Sequence, residues 1–115
     1  MLDQVAFGIS KDEYSDELIK EELCDIEEAG DICLWQNENN LDSYMEEKFN
    51  RENPDDSYDQ GKNVEITKED IGKIKDLIDN KEFEVRDMSN MMDCLDAISE
   101  ILENGEYRVF YSASW

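Results

Sequence analysis

Glu13, Glu17, Glu21 and Asp25 fall at i, i+4, i+8 and i+12. On a helix, that spacing stacks one carboxylate about every 6 Å along a single face. Asp12, Asp16, Glu27, Glu28 and Asp31 widen the strip; half of the residues from Asp12 to Asp31 are acids, and only Lys20 offsets them. Such a strip can satisfy Lys and Arg side chains that otherwise hold phosphates. Like charges at i, i+4 cost an isolated helix about 0.2–0.5 kcal/mol per pair. Solubility alone does not demand so poor an arrangement.

Two other carboxylate chemistries fit less well. The Asp-rich stretch after Pro54 invites a calcium loop, but both registers fail. Counting from Asp55 puts Gln60 where the loop needs Gly and Ile66 where it needs Glu; counting from Asp56 fits Gly61 but misplaces Tyr58 and Thr67. Paired carboxylates can also do acid–base work. With 32 acids in the chain, however, any such pairing carries almost no information. Histidine is absent, which removes every Ser-His or Cys-His nucleophile. No Gly-rich phosphate loop or nucleophile elbow is present. The expectation is therefore no enzyme, no metal and no cofactor.

The whole chain carries Lys+Arg 11 against Asp+Glu 32, a formal net charge of −21 on 115 residues. No basic stripe exists to displace phosphate counterions, which argues against direct nucleic-acid binding. Anionic membrane surfaces are disfavoured for the same reason. Duplex DNA carries one charge per ~1.7 Å of axis, so 21 charges correspond to about 36 Å of duplex. A folded chain of this length has a diameter of roughly 35 Å. The charge per length is thus comparable to that of DNA.

The elements that must carry these residues follow from periodicity. Aromatic content of 10% and apolar content of 39% exceed what a disordered acidic tail holds. Val5, Phe7 and Ile9 alternate as a strand. Ser10 and Glu13 have capping-box spacing ahead of Leu18 or Ile19, Leu23 and Ile26, with Gly30 as the stop. Residues 31–36 read as a short buried strand. Asn39 or Asn40 opens a helix through Leu41, Tyr44, Met45 and Phe49. Residues 51–63, with the only proline, read as a long exposed, mobile loop.

Thr67 and Asp70 cap a helix striped by Ile71, Ile74, Leu77 and Ile78. Phe83 and Val85 suggest a brief strand. Asp87 or Ser89 then starts a helix with Met91, Cys94, Leu95, Ile98, Ile101 and Leu102 on its apolar face, ending at Asn104-Gly105. Tyr107–Tyr111 is the strongest strand, rich in aromatic and β-branched residues. The three cysteines, Cys24, Cys33 and Cys94, lack CxxC spacing and read as reduced core residues. Trp35 and Trp115 read as core anchors or sheet-packing groups. The expected architecture is a single α+β domain spanning 1–115, with about four helices on a three- or four-stranded sheet. No secretory signal opens the chain and no membrane span is expected.

The ending Tyr107-Arg-Val-Phe-Tyr-Ser-Ala-Ser-Trp115 resembles that of a family of small uncharacterised bacteriophage proteins, which finish in a Tyr-rich strand and a Ser-Ser-Trp-like tail. Leu34-Trp-Gln-Asn-Glu-Asn-Asn-Leu-Asp-Ser-Tyr-Met45 is similar to that family's Trp-containing segment, and Val64 to Ile71 resembles its next block, a strand end followed by a capped helix. Gln36 and Asn37 stand where the family pattern has Arg and Lys, and Asp42 where it has His. The segment 12–31 has no counterpart there. The family has no established activity; the resemblance implies a phage origin and a cytoplasmic setting in the host cell.

Together these observations point to an acidic phage-type protein that binds and occludes a basic, nucleic-acid-handling host or defence protein, as an imitation of DNA. Asp12, Glu13, Asp16, Glu17, Glu21, Glu22, Glu27 and Glu28 are the expected contact residues. Two rivals stay open: an accessory or structural phage protein whose charge serves solubility, and a small ligand binder or enzyme with a pocket near the C-terminal strand. The oligomeric state is open, a dimer included.

Overall fold

Alternating apolar residues in the first and last segments of the chain bring those segments together. The computed structural model describes residues 2–10, 30–59 and 62–115. In chain order its elements are β1 (Asp3–Ser10), β2 (Gly30–Gln36), α1 (Asn39–Glu52), β3 (Val64–Ile66), α2 (Lys68–Asp79), α3 (Met88–Asn104) and β4 (Tyr107–Ser114). The sheet order is β2-β1-β4-β3 and every neighbouring pair is antiparallel. β1 lies at the centre and pairs with β4 along its whole length, from Asp3↔Ser114 to Ser10↔Tyr107.

Strand alternation divides the side chains between two faces. Ala6, Cys33, Trp35, Val64, Ile66, Val109, Tyr111 and Ala113 join the helices in one core. The helices contribute the stripes that periodicity foretold: Leu41, Met45 and Phe49 from α1, Ile71, Ile74 and Ile78 from α2, and Met91, Cys94, Leu95 and Ile98 from α3. Phe7 and Phe110 lie on the opposite face, fully buried, with rings stacked at 6.0 Å. The β1–β2 register shifts between Ala6 and Phe7, because Ala6 faces Cys33 while Phe7 faces Asp31. Ile32 is the extra residue of this bulge, which lets it pack against the helical core beside Cys33.

The local signals explain the ends of the elements. Thr67 and Asp70 form the reciprocal capping box, Asp87 caps α3 by accepting from the Asn90 N–H, and Gly105 takes the left-handed conformation (φ 76°) that closes α3.

Three expectations need correction, and one lies outside the described residues. The described residues hold three helices; the fourth expected helix, over residues 11–29, lies outside them. Phe83 and Val85 are not a strand: they belong to the α2–α3 connection, where Phe83 is buried by the core rather than by a sheet partner. The remaining strand is Val64–Ile66, too short for residue periodicity to reveal. The loop begins at Asn53, since α1 runs through Glu52, and Tyr58 within it is half-buried. Trp115 is half-exposed against Tyr58 rather than a core anchor. No helix among the described residues is long and apolar enough to cross a membrane.

Candidate functional site

Asp12, Glu13, Asp16, Glu17, Glu21, Glu22, Glu27 and Glu28 all lie outside the described residues. The structure does show where their segment is anchored. It joins β1 to β2 at the end of the sheet where Gly8 faces Gly30. Ser10 and Tyr107 pair at that same end, just after the α3 terminus.

At the opposite end, where Asp3 faces Gln36, the chain builds a cleft of about 900 Å³. Asn37 turns the chain there in the left-handed region (φ 55°), a conformation that Asn tolerates better than most residues. Its N–H donates to the Leu2 carbonyl at 2.9 Å, and its Oδ1 accepts from the Leu2 N–H at 3.1 Å. Gln4 then clamps the backbone of Glu38 from both sides. Gln4 Oε1 accepts from the Glu38 N–H at 2.9 Å, and Gln4 Nε2 donates to the Glu38 carbonyl at 3.0 Å.

That clamp buries Glu38 to 3% exposure at the start of α1. Glu38 Oε1 accepts from the Arg86 backbone N–H at 2.7 Å. Glu38 Oε2 and Trp35 Nε1 are buried and have no hydrogen-bond partner among the described residues. Both residues line the cleft, with Asp3, Arg86, Asp87 and Asn90. Leu34 and Met88, two of the few large apolar side chains left exposed, line it as well.

A buried polar chain leads from this cleft to a second, smaller one. Gln4 Nε2 also donates to Tyr111 Oη at 2.8 Å; Tyr111 donates to Asp42 Oδ1 at 2.8 Å, and Tyr58 donates to the same oxygen at 2.7 Å. Asp42 and Tyr58 line a cleft of about 320 Å³ with Leu2, Asn39, Glu46 and Trp115. Asn39, Asp42 and Glu46 share one face of α1 by their spacing. Burial is the main force holding the Tyr111 and Tyr58 hydroxyls protonated above the ordinary phenol range, and the Asp42 carboxylate adds to it. Tyr44 is raised in the same way by burial and by Asp70, to which it donates at 2.8 Å.

These shifts predict alkaline unfolding. A phenol whose folded pKa is raised leaves stability intact below the unfolded value of about 10. Above it the unfolded chain alone ionises, and stability falls as pH rises. Tyrosine ionisation followed by absorbance should therefore coincide with loss of circular dichroism. Smooth ionisation of all five tyrosines near pH 10, with the fold retained, would contradict the buried network.

A third polar cluster is structural. Lys48, 6% exposed, donates to Asp70 Oδ2 and to the Glu65 carbonyl, and Glu52 stands at 3.6 Å. Burial pushes the Asp70 carboxyl up, but Lys48, the Thr67 N–H and Tyr44 outweigh it and hold the group below its ordinary value. Arg108 forks onto Glu65 with two contacts of 2.6 Å. Cys33 and Cys94 are free and buried against each other, and burial pushes the Cys33 thiol up. Among the described residues no group of three or more potential ligands is gathered to hold a metal ion.

The fold is thus that of a small, compact α+β domain with an antiparallel four-stranded sheet and, among the described residues, three helices. No protein family, curated protein or solved structure matches the chain. Sequence reasoning missed the cleft. Its signal was the Trp35-x-x-Glu38 spacing at a strand-to-helix junction, which becomes meaningful only once Gln4 and Arg86 are seen to bury Glu38.

Proposed function

We propose that this protein binds and occludes a basic, nucleic-acid-handling protein through its acidic surface, without catalysing a reaction. In this reading it is a phage-type inhibitor acting in the host cytoplasm, and the partner is a host or defence protein whose Lys and Arg side chains normally hold phosphates. The observation that carries it is the fate of the positive charge. Lys48, Lys62, Lys73, Lys75 and Arg108 are already engaged in ion pairs within the chain. Among the described residues most carboxylates are left exposed, Glu46, Glu47, Asp76, Glu82, Asp93 and Glu100 among them.

The placement of that excess supports recognition over solubility. Neither α2 nor α3 has a base in its last turn, and Asp79 and Glu103 stand there instead. Acids at helix C-termini cost about 0.3–1 kcal/mol each against the helix dipole. A solubilising charge could sit anywhere else at lower cost. The longest extent, 37 Å, is close to the ~36 Å of duplex that carries 21 charges.

Capture from bacterial lysate across a salt gradient tests the reading, with a variant carrying Lys at positions 13, 17, 21 and 22. A basic partner that elutes as screening rises, and that the variant no longer holds although its fold is intact, supports recognition. Capture unchanged by the reversals supports the solubility role.

A further inference from the structure

We infer that the cleft between the end of β2 and the start of α3 is a receptor for an arginine side chain carried on a polypeptide. Four observations converge on this occupant. Glu38 is only 3% exposed, and its Oε2 has no partner among the described residues. A buried carboxylate oxygen left without a donor costs more than a neutral group does, so the site favours a ligand that brings charged N–H donors. Trp35, also 3% exposed, offers an indole N–H with no acceptor among the described residues. Guanidinium alone cannot satisfy it, because guanidinium accepts nothing. A main-chain carbonyl on the same ligand can.

The remaining two observations concern the mouth. Leu34, 65% exposed, and Met88, 47% exposed, line the cleft and suit the aliphatic stem of a long basic side chain. Asp3 and Asp87 add carboxylates to the same wall, against the single cation Arg86. A volume of about 900 Å³ accommodates a side chain with its flanking main chain. Fixed donors on Gln4 and Arg86 hold Glu38 in place before any ligand arrives, so little ordering is needed on binding.

This assignment rests on the proposed function only for the basic character of the partner. The cleft and the anchors of the acidic segment lie at opposite ends of the sheet, so the two can fail separately. The test is a titration of N-acetyl-argininamide followed by Trp35 fluorescence in a Trp115→Phe background. Saturable binding is expected, weakened about tenfold or more by Glu38→Gln, as the loss of one charge-assisted hydrogen bond implies. Glutamine keeps an oxygen for the Arg86 N–H, and circular dichroism checks the fold. Leu34→Lys, at an exposed position, should weaken binding without touching the buried clamp.

The citrulline analogue, uncharged and of the same shape, and methylguanidine, which lacks the carbonyl, should each bind at least tenfold more weakly. No saturable change with the capped arginine, or equal affinity in the Glu38→Gln variant, would overturn the assignment. Methylguanidine binding as tightly as the capped arginine would contradict a polypeptide ligand. Absence of cleft binding with salt-sensitive capture intact would sink this assignment alone. Cleft binding with capture insensitive to reversal of residues 13–22 would sink only the acidic-surface reading.

Discussion

Lys48→Ala is expected to lower the stability of the protein by about 3–5 kcal/mol, because it strands the buried Asp70 carboxylate. Lys48 reaches from α1 to the first turn of α2 and to the β3 backbone, so it ties together three elements that share few other polar contacts. Asp70 meanwhile serves two masters: it accepts from Lys48 and closes the Thr67 capping box. Combining Lys48→Met with Asp70→Asn removes both charges, and should recover part of the loss. Urea unfolding measures both variants. A loss near the ~1 kcal/mol of a surface pair would show that water reaches the cluster.

The same pair governs the acid limb of stability. Because the Asp70 carboxyl is held below its ordinary value, its contribution is fully present above the unfolded value of about 3.9. It is lost as pH falls through the lower folded value.

Phe110→Ala is expected to cost about 3–5 kcal/mol, as for other fully buried aromatics. Phe110 is 1% exposed, stacks on Phe7 across the central strand pair and carries the Arg108 guanidinium 5.5 Å from its ring centroid. Its loss removes apolar burial and also loosens the Arg108–Glu65 fork between β4 and β3. Leu34→Ala provides the contrast: an exposed side chain on the edge strand should change stability by no more than about 0.5 kcal/mol. Thermal unfolding of the two variants side by side decides whether the second face of the sheet is a true core.

The helices were legible because their signals are local. Ile71, Ile74 and Ile78 repeat at helical spacing, Thr67 and Asp70 announce the start of α2, and Gly105 announces the end of α3. The outer limits of the sheet were harder. Val64–Ile66 has only three residues, and its strand character comes from pairing with Val109–Tyr111, 45 residues further along the chain. Phe83 and Val85 alternate like a strand, yet burial under the helices accounts for Phe83 without any ladder.

The polar sites were the least legible part. Gln4 lies 34 residues from Glu38 and 107 from Tyr111, and nothing in its neighbourhood marks it as the residue that binds them together. Asp42, in place of the resembled family's His, is the acceptor for both Tyr58 and Tyr111. That role follows from the packing of α1 on β4 and could not be read from the substitution.

In the proposed function, the acidic surface occupies a site on the partner where nucleic acid would otherwise bind. The most direct measurement is displacement: duplex DNA is titrated into the complex of this protein with its captured partner. Mutual exclusion is predicted, together with an affinity for the protein that falls steeply with added salt. A ternary complex, in which the partner holds DNA and this protein at once and salt barely changes either, would contradict the claim.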